Sequence, residues 1–337
     1  MRMKRTGIYV ALGIAFLLNS SLFVSIGWTI ETDVISFVTR KDRGHSIQLI
    51  NTQGEFLQRL MLEGSIAHFT WSPDGHSIAY SSNRNGDPDI YVIDVRTNTL
   101  LQLTFDDEKD WWPAWSPNGK WIAFASNRAG EIDLYRMDAT GENMMRLTNQ
   151  GKCKRPVWSP DGQWIAFVSK SALFVMSAEG RGVRRLTDTF STGCTWSPDG
   201  KEIAFVPRAD AVGGTALFSI DVDSKNTRQL TRVYKGLVAI FEPAWSSRGK
   251  WIAYLLVQPL EKPPEGQLGI AEEFFGNSVI CVVNTADVDG GEPLEATREL
   301  VGSDLQWVPE RFLSVSPNTE KQTTLWGNLK QAENASK

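Results

Sequence analysis

The chain has 337 residues, 42% of them hydrophobic, with 28 Gly, 15 Pro, 13 Trp, 3 Cys and 3 His. That content buries a proper core and excludes wholesale disorder, a collagen-like repeat and a disulfide or zinc framework. The formal net charge is −4, so no basic surplus exists to neutralise a phosphate backbone, and nucleic-acid partners are not expected.

Arg2, Lys4 and Arg5 precede an apolar run from Gly7 to Gly27. A basic start followed by an apolar stretch reads as an export signal. Residues 1–30 are therefore a signal peptide, cleaved before Trp28 after the small-x-small Ser25-Ile-Gly27, or an uncleaved anchor helix, since about 21 residues span a bilayer. Either way the rest of the chain is periplasmic or extracellular, and membrane contact comes only through this segment. No Cys precedes Cys153, which excludes lipoprotein processing.

Beyond this segment the chain repeats itself. Trp71-Ser-Pro73-Asp74-Gly75 returns as Trp158-Ser-Pro160-Asp161-Gly162 and Trp196-Ser-Pro198-Asp199-Gly200. Trp115-Ser-Pro117-Asn-Gly119 and Trp245-Ser-Ser-Arg-Gly249 are close variants, and Trp307-Val-Pro-Glu is a weak sixth. The steps between these Trp are 44, 43, 38, 49 and 62 residues. After each strong copy comes an Ile-Ala-aromatic strand (Ile78 to Tyr80, Ile122 to Phe124, Ile165 to Phe167, Ile203 to Phe205, Ile252 to Tyr254). A third strand follows, as in Asp89-Ile-Tyr-Val-Ile-Asp94, and a short fourth ends in Leu-Thr at Thr104, Thr148, Thr187 and Thr231. Four short strands with tight turns at a period near 43 predict a propeller blade. The Trp offers a flat face for packing between blades. In the turn, Pro presets φ, Asp bonds back to local N–H groups, and Gly takes positive φ.

The segment Ile35 to Leu60 supplies strands two, three and four of a unit without its Trp motif, and the Trp307 segment supplies the missing inner strand. The expected fold is thus all-β, a six-bladed propeller over residues 33–316 closed by pairing of the two chain ends in one blade; seven blades is the alternative. Phe312-Leu-Ser-Val315 is then one strand too many. The turn-rich stretch within 255–278 elaborates the loop between strands two and three of the sixth unit. Residues 317–337 form a polar tail.

The chain carries no Gly-x-Ser-x-Gly elbow, and its His are only His45, His68 and His76. A Ser-His-Asp triad or a multi-His metal site is hard to build from them. Asp221-Val-Asp223 and Asp287-Val-Asp289-Gly290 read as hairpin turns, with calcium loops the alternative. Cys153 and Cys194 occupy similar slots ahead of consecutive repeat Trp and read as free buried thiols, a disulfide between them being the alternative; Cys281 reads as core. Neither a cofactor nor a metal is expected, calcium in the channel being the exception considered. Loops from the outer strand of one blade to the inner strand of the next rim one channel mouth. The residues on them or beside them that fit a ligand are His68, Asp110, Trp111, Trp112, Lys154, Arg155, Phe241, Glu242 and Asp304. Trp111 and Trp112 belong to no repeat position, and exposed aromatics beside both charge signs suit a protein, peptide or glycan.

At these repeats the chain resembles the TolB-like propeller family, itself related to WD-repeat propellers. The resemblance implies six blades around a central channel. It also implies a docking platform for proteins in the periplasm, although the family's namesake carries an α/β domain before its propeller for which no room is expected here. In the peptidases that share the repeat a Ser hydrolase domain follows the propeller; here the chain ends soon after the last blade. A monomeric, non-catalytic exported binding scaffold is the expectation. A propeller enzyme of lactonase or lyase type with a channel metal, and a structural envelope protein, are the alternatives.

Overall fold

In a computed structural model of the chain, the described residues are 33–41, 44–52, 54–62, 64–189, 191–207, 214–234, 239–258, 277–286, 292–293, 302–309 and 312. They form six four-stranded antiparallel sheets, one per predicted blade. The first blade joins the two ends of the chain: β24 (Gly302–Trp307) lies inside β1 (Val34–Lys41), followed by β2 (Gly44–Asn51) and β3 (Phe56–Met61). Ile35 pairs with Trp307 and Thr39 with Gly302, which is the predicted closure.

The second blade runs β4 (His68–Trp71), β5 (Ser77–Ser82), β6 (Asp89–Asp94), β7 (Thr99–Gln102). The third is β8 (Asp110–Trp115), β9 (Trp121–Ala129), β10 (Glu131–Asp138), β11 (Met145–Arg146), and the fourth β12 (Cys153–Trp158), β13 (Trp164–Ser169), β14 (Ala172–Ser177), β15 (Arg184–Arg185). The fifth is β16 (Ser191–Trp196), β17 (Glu202–Pro207), β18 (Phe218–Asp221), β19 (Thr227–Gln229). The sixth is β20 (Ala239–Trp245), β21 (Trp251–Gln258), β22 (Asn277–Asn284), β23 (Glu292–Pro293). Each innermost strand (β24, β4, β8, β12, β16, β20) touches the one before and the one after, so they close a ring around a channel. Gln258 pairs with Asn277, which puts the insertion between the second and third strands, as expected.

The turn motif folds through its own side chains. Ser72 Oγ donates to Asp74 Oδ1 at 2.5 Å and accepts the Ser77 N–H at 2.9 Å, while Asp74 Oδ1 accepts the His76 N–H at 2.9 Å. The same three bonds recur at Ser159 with Asp161 and at Ser197 with Asp199. Asn118 replaces Asp without loss, because its amide oxygen accepts the Lys120 N–H at 3.0 Å. Gly162 sits at φ +70° with the Pro117 ring of the preceding blade 3.3 Å from where a Cβ would lie. Ring therefore packs on bare backbone from blade to blade.

Core residues do not gather at the centre of the ring. Alternate residues of each second strand point to opposite sheet faces, so Ile78 and Tyr80 join the cluster shared with the first blade and Ala79 the one shared with the third. Six such clusters fill the six wedges between blades. The repeat Trp stitch these wedges. Trp158, Trp196 and Trp307 each donate their indole N–H to a carbonyl on the preceding inner strand: Ala114 at 3.0 Å, Val157 at 3.1 Å and Ala244 at 2.7 Å. Trp71 reaches the same place through a relay, donating to Ser36 Oγ at 2.9 Å, which donates to the Gln306 carbonyl at 3.0 Å. Trp115 and Trp245 turn instead to their own Gly119 and Gly249 carbonyls.

Several sequence expectations fall outside the described residues: the signal or anchor segment 1–30, Leu313 to Val315 of the surplus strand, the Asp287 to Gly290 turn, most of the 255–278 insertion, and the 317–337 tail. Phe312 is described. Its ring stands 4.9 Å from Trp71, and its backbone lies against Gly75, where the Pro of a preceding turn packs in the other blades.

Candidate functional site

Five innermost strands carry the same irregularity. Trp111 pairs with Ala125 and Ala114 with Ala123, so β8 holds one residue more than β9 over this stretch. Equivalent bulges lie between Lys154 and Val157, Ser191 and Cys194, Phe241 and Ala244, and on β24 opposite Ser36 and Val38. The bulged strand faces the channel and lacks a partner on that side, which is why it tolerates Pro113, Pro156 and Pro243. A bulge re-aims the side chain it carries.

The residue third before each repeat Trp holds this place around the ring: Trp112, Arg155, Gly193, Glu242 and Asp304 on the bulged strands, and His68 at the start of β4, which pairs with β5 without a bulge. Four of them stand in the left-handed region, with φ of 51° at Trp112, 53° at Arg155, 52° at Glu242 and 60° at Asp304. An L-residue held there costs roughly 1–2 kcal/mol. Such strain persists where the surrounding structure over-determines it and concentrates at functional sites. All six residues line one cavity of about 80 Å³ in the channel.

The five with side chains form an interlocked wall. Asp304 Oδ2 accepts the Phe69 N–H at 2.8 Å, and the Asp304 N–H donates to Glu242 Oε2. Arg155 Nη1 faces Glu242 Oε1 at 3.6 Å. The His68 and Trp112 rings lie 5.0 Å apart, and the Arg155 guanidinium stands 5.9 Å from the Trp112 ring centre. Burial, reinforced by the Glu242 carboxylate, pushes the Asp304 carboxyl well above the usual carboxylate range against the pull of Arg155. Burial pushes the His68 imidazole well below its ordinary value, with Arg155 adding to the effect. Cys194, also on the wall, has its thiol pushed up to about 12 by burial. The wall therefore presents a neutral imidazole, a neutral thiol and a carboxyl that resists ionising.

Four of the sequence candidates do not line this cavity. Asp110 is fully buried at the start of β8, its two oxygens held by Arg128 Nη2 at 3.1 and 2.9 Å. Trp111 stands beside Trp112, ring centres 5.9 Å apart, and does not reach the cavity. Phe241 packs into the wedge between the sixth and first blades. Lys154 is exposed, with its Nζ 5.8 Å from the Trp112 ring. The cavity is lined by residues of the innermost strands, whereas the sequence pointed to the connecting loops and the residues beside them. Gly193, Cys194 and Gln306 line it without having been anticipated. Counting three residues back from every repeat Trp would have found Gly193. Cys153 and Cys194, read as similar slots, are not equivalent: Cys153 opens β12 opposite Ser169, while Cys194 lies one residue past the bulge position. None of the three Cys forms a disulfide, and all are buried. Asp221 serves its turn, accepting the Asp223 and Ser224 N–H groups. Among the described residues, no three His, Cys, Asp or Glu converge as metal ligands.

The family model of the TolB beta propeller domain matches residues 15–230. No curated protein sequence matches the chain. Among solved structures it is similar to TolB from Acinetobacter baumannii, at 24% identity and a TM-score of 0.62, covering 82% of this chain and 66% of that one. This chain thus spans just under two thirds of that protein's length. It is also similar to a chain of the nidogen/laminin complex (11% identity, TM-score 0.60, 82% and 98% covered). A third likeness is to oligogalacturonate lyase from Vibrio parahaemolyticus (14% identity, TM-score 0.54, 78% and 77% covered). At these identities the likeness is one of fold.

Proposed function

Since the chain belongs to the TolB beta propeller domain family, we propose that it is an exported, non-catalytic scaffold that binds a protein or peptide partner through its channel. The observation that carries this reading is the convergence of His68, Trp112, Arg155, Glu242 and Asp304 from five blades on one cavity, four of them in strained backbone. Strain of that kind is retained where it serves recognition. Aromatic and Arg side chains at the centre of a concave surface are the residue types that anchor protein partners. The protonation pattern supports binding over chemistry, because the Cys194 thiol is held in its unreactive form. The nidogen/laminin complex, an assembly of proteins, contains a chain of this fold. The basic and apolar start of the sequence and the family resemblance support export.

The test is affinity capture from the native envelope with the full chain and with the Trp112→Ala/Glu242→Ala double variant, both checked for folding by circular dichroism. A partner retained by the parent and lost by the double variant is expected. Equal retention by both places the interface elsewhere and refutes the reading. The second reading, a lyase-type enzyme, draws on the fold shared with the Vibrio oligogalacturonate lyase; a stoichiometric metal ion in the purified protein would favour it.

A further inference from the structure

The cavity wall holds two buried polar atoms without a hydrogen-bond partner, Trp112 Nε1 and His68 Nδ1. Both belong to residues that line the pocket, and their rings are neighbours at 5.0 Å. An indole N–H can only donate, and a buried donor left unmade costs roughly 1–3 kcal/mol. What completes this wall must therefore bring an acceptor.

The charges around the indole point the same way. Arg155 and Lys154 both approach the Trp112 ring, at 5.9 and 5.8 Å. The nearest carboxylate to Arg155, Glu242, stands at 3.6 Å, short of a paired fork, and its other oxygen is taken by the Asp304 N–H. Asp304 is likewise engaged, by the Phe69 N–H. Its burial beside Glu242 favours the neutral carboxyl, so it does not cancel the two cations. His68 stays neutral and offers Nδ1 as donor or acceptor according to its tautomer. At about 80 Å³, the space has room for a small planar head group. An acceptor that is small, planar and anionic, and that Arg favours, is a carboxylate.

We infer that the pocket is a carboxylate receptor, taking a carboxylate of the partner onto the Trp112 indole N–H and the Arg155 guanidinium beside the His68 ring. This rests on the channel-binding reading above. The carboxylate comes from a chain terminus or from an Asp or Glu side chain.

The test follows the Trp112 indole N–H resonance of the 15N-labelled full chain, assigned by its absence in Trp112→Phe. The probes are acetylglycine for a chain terminus and propionate for a side chain, against acetylglycinamide, propionamide and methylammonium. One or both carboxylates should move the resonance downfield and saturate, with a midpoint on the order of millimolar for so small a probe; the stronger of the two identifies the source. Arg155→Gln should raise that midpoint about tenfold or more. The inference is overturned if amides act as strongly as carboxylates, if methylammonium alone binds, or if nothing moves the resonance. The two readings fail separately. A partner lost by the double variant with no carboxylate response leaves the scaffold standing and removes the carboxylate. A carboxylate response with the partner still captured by the double variant does the reverse.

Discussion

Replacing Trp158 by Phe tests whether the repeat Trp stitch the blades or merely fill space. Trp158 is 7% exposed and its indole N–H bonds the Ala114 carbonyl of the preceding blade at 3.0 Å. Losing the pyrrole ring removes roughly 40 Å² of buried apolar surface, about 1 kcal/mol at 25 cal/mol per Å². Leaving the carbonyl without its donor costs a further 1–2 kcal/mol or so. The expected loss is about 2–3 kcal/mol, a large share of the roughly 5–15 kcal/mol that holds a domain folded. Trp115→Phe is the internal control. Trp115 is half-buried and bonds the Gly119 carbonyl in its own turn, where water replaces the donor, so about 1 kcal/mol is expected. Urea denaturation followed by far-ultraviolet circular dichroism measures both without depending on Trp emission. Equal losses in the two variants, or a loss below about 1 kcal/mol for Trp158→Phe, would refute the inter-blade role.

Two further outcomes concern protonation and backbone. Burial and Glu242 raise the Asp304 carboxyl above the unfolded value. Its contribution to stability is therefore complete below the ordinary Asp value near 3.9 and is lost as pH rises through the folded value. Asp304→Asn keeps an acceptor for the Phe69 N–H and suits the left-handed φ, so its melting temperature should match the parent near pH 4 and exceed it near pH 8. A difference that does not change with pH would contradict this. Gly180 and Gly182 both have positive φ, at +78° and +63°. A Cβ at Gly180 would come within 2.5 Å of the Leu147 carbonyl, whereas one at Gly182 meets nothing within 4 Å. Gly182→Ala should cost about 1 kcal/mol and Gly180→Ala clearly more, by the same urea measurement; equal costs would show that the Leu147 contact yields freely.

The blades were legible because their information is local. Ser72, Asp74 and Gly75 fold their turn through bonds spanning two to five residues. The period-2 strands after each turn state which residues face which wedge. Even the closure was readable, since a unit lacking its inner strand at one end and a lone Trp307 at the other have one economical solution. Asp110 shows where that reading stopped. In the sequence it stands beside Trp111 and Trp112 like a ligand-binding acid, yet Arg128, eighteen residues on, occupies both its oxygens.

Trp111 and Trp112 show the same limit from the other side. Adjacent strand residues point to opposite faces, but which of the two meets the channel is set by a bulge that depends on the pairing of β8 with β9. The sequence by itself determined the repeat, the six blades and the turn chemistry, because each depends on hydrogen bonds and alternation within some forty residues. Tertiary structure decided which of the candidate residues meet at one cavity. Phe69 and Asp304, 235 residues apart, share a hydrogen bond, and the charge that Asp304 carries depends on burial among blades that no local pattern encodes.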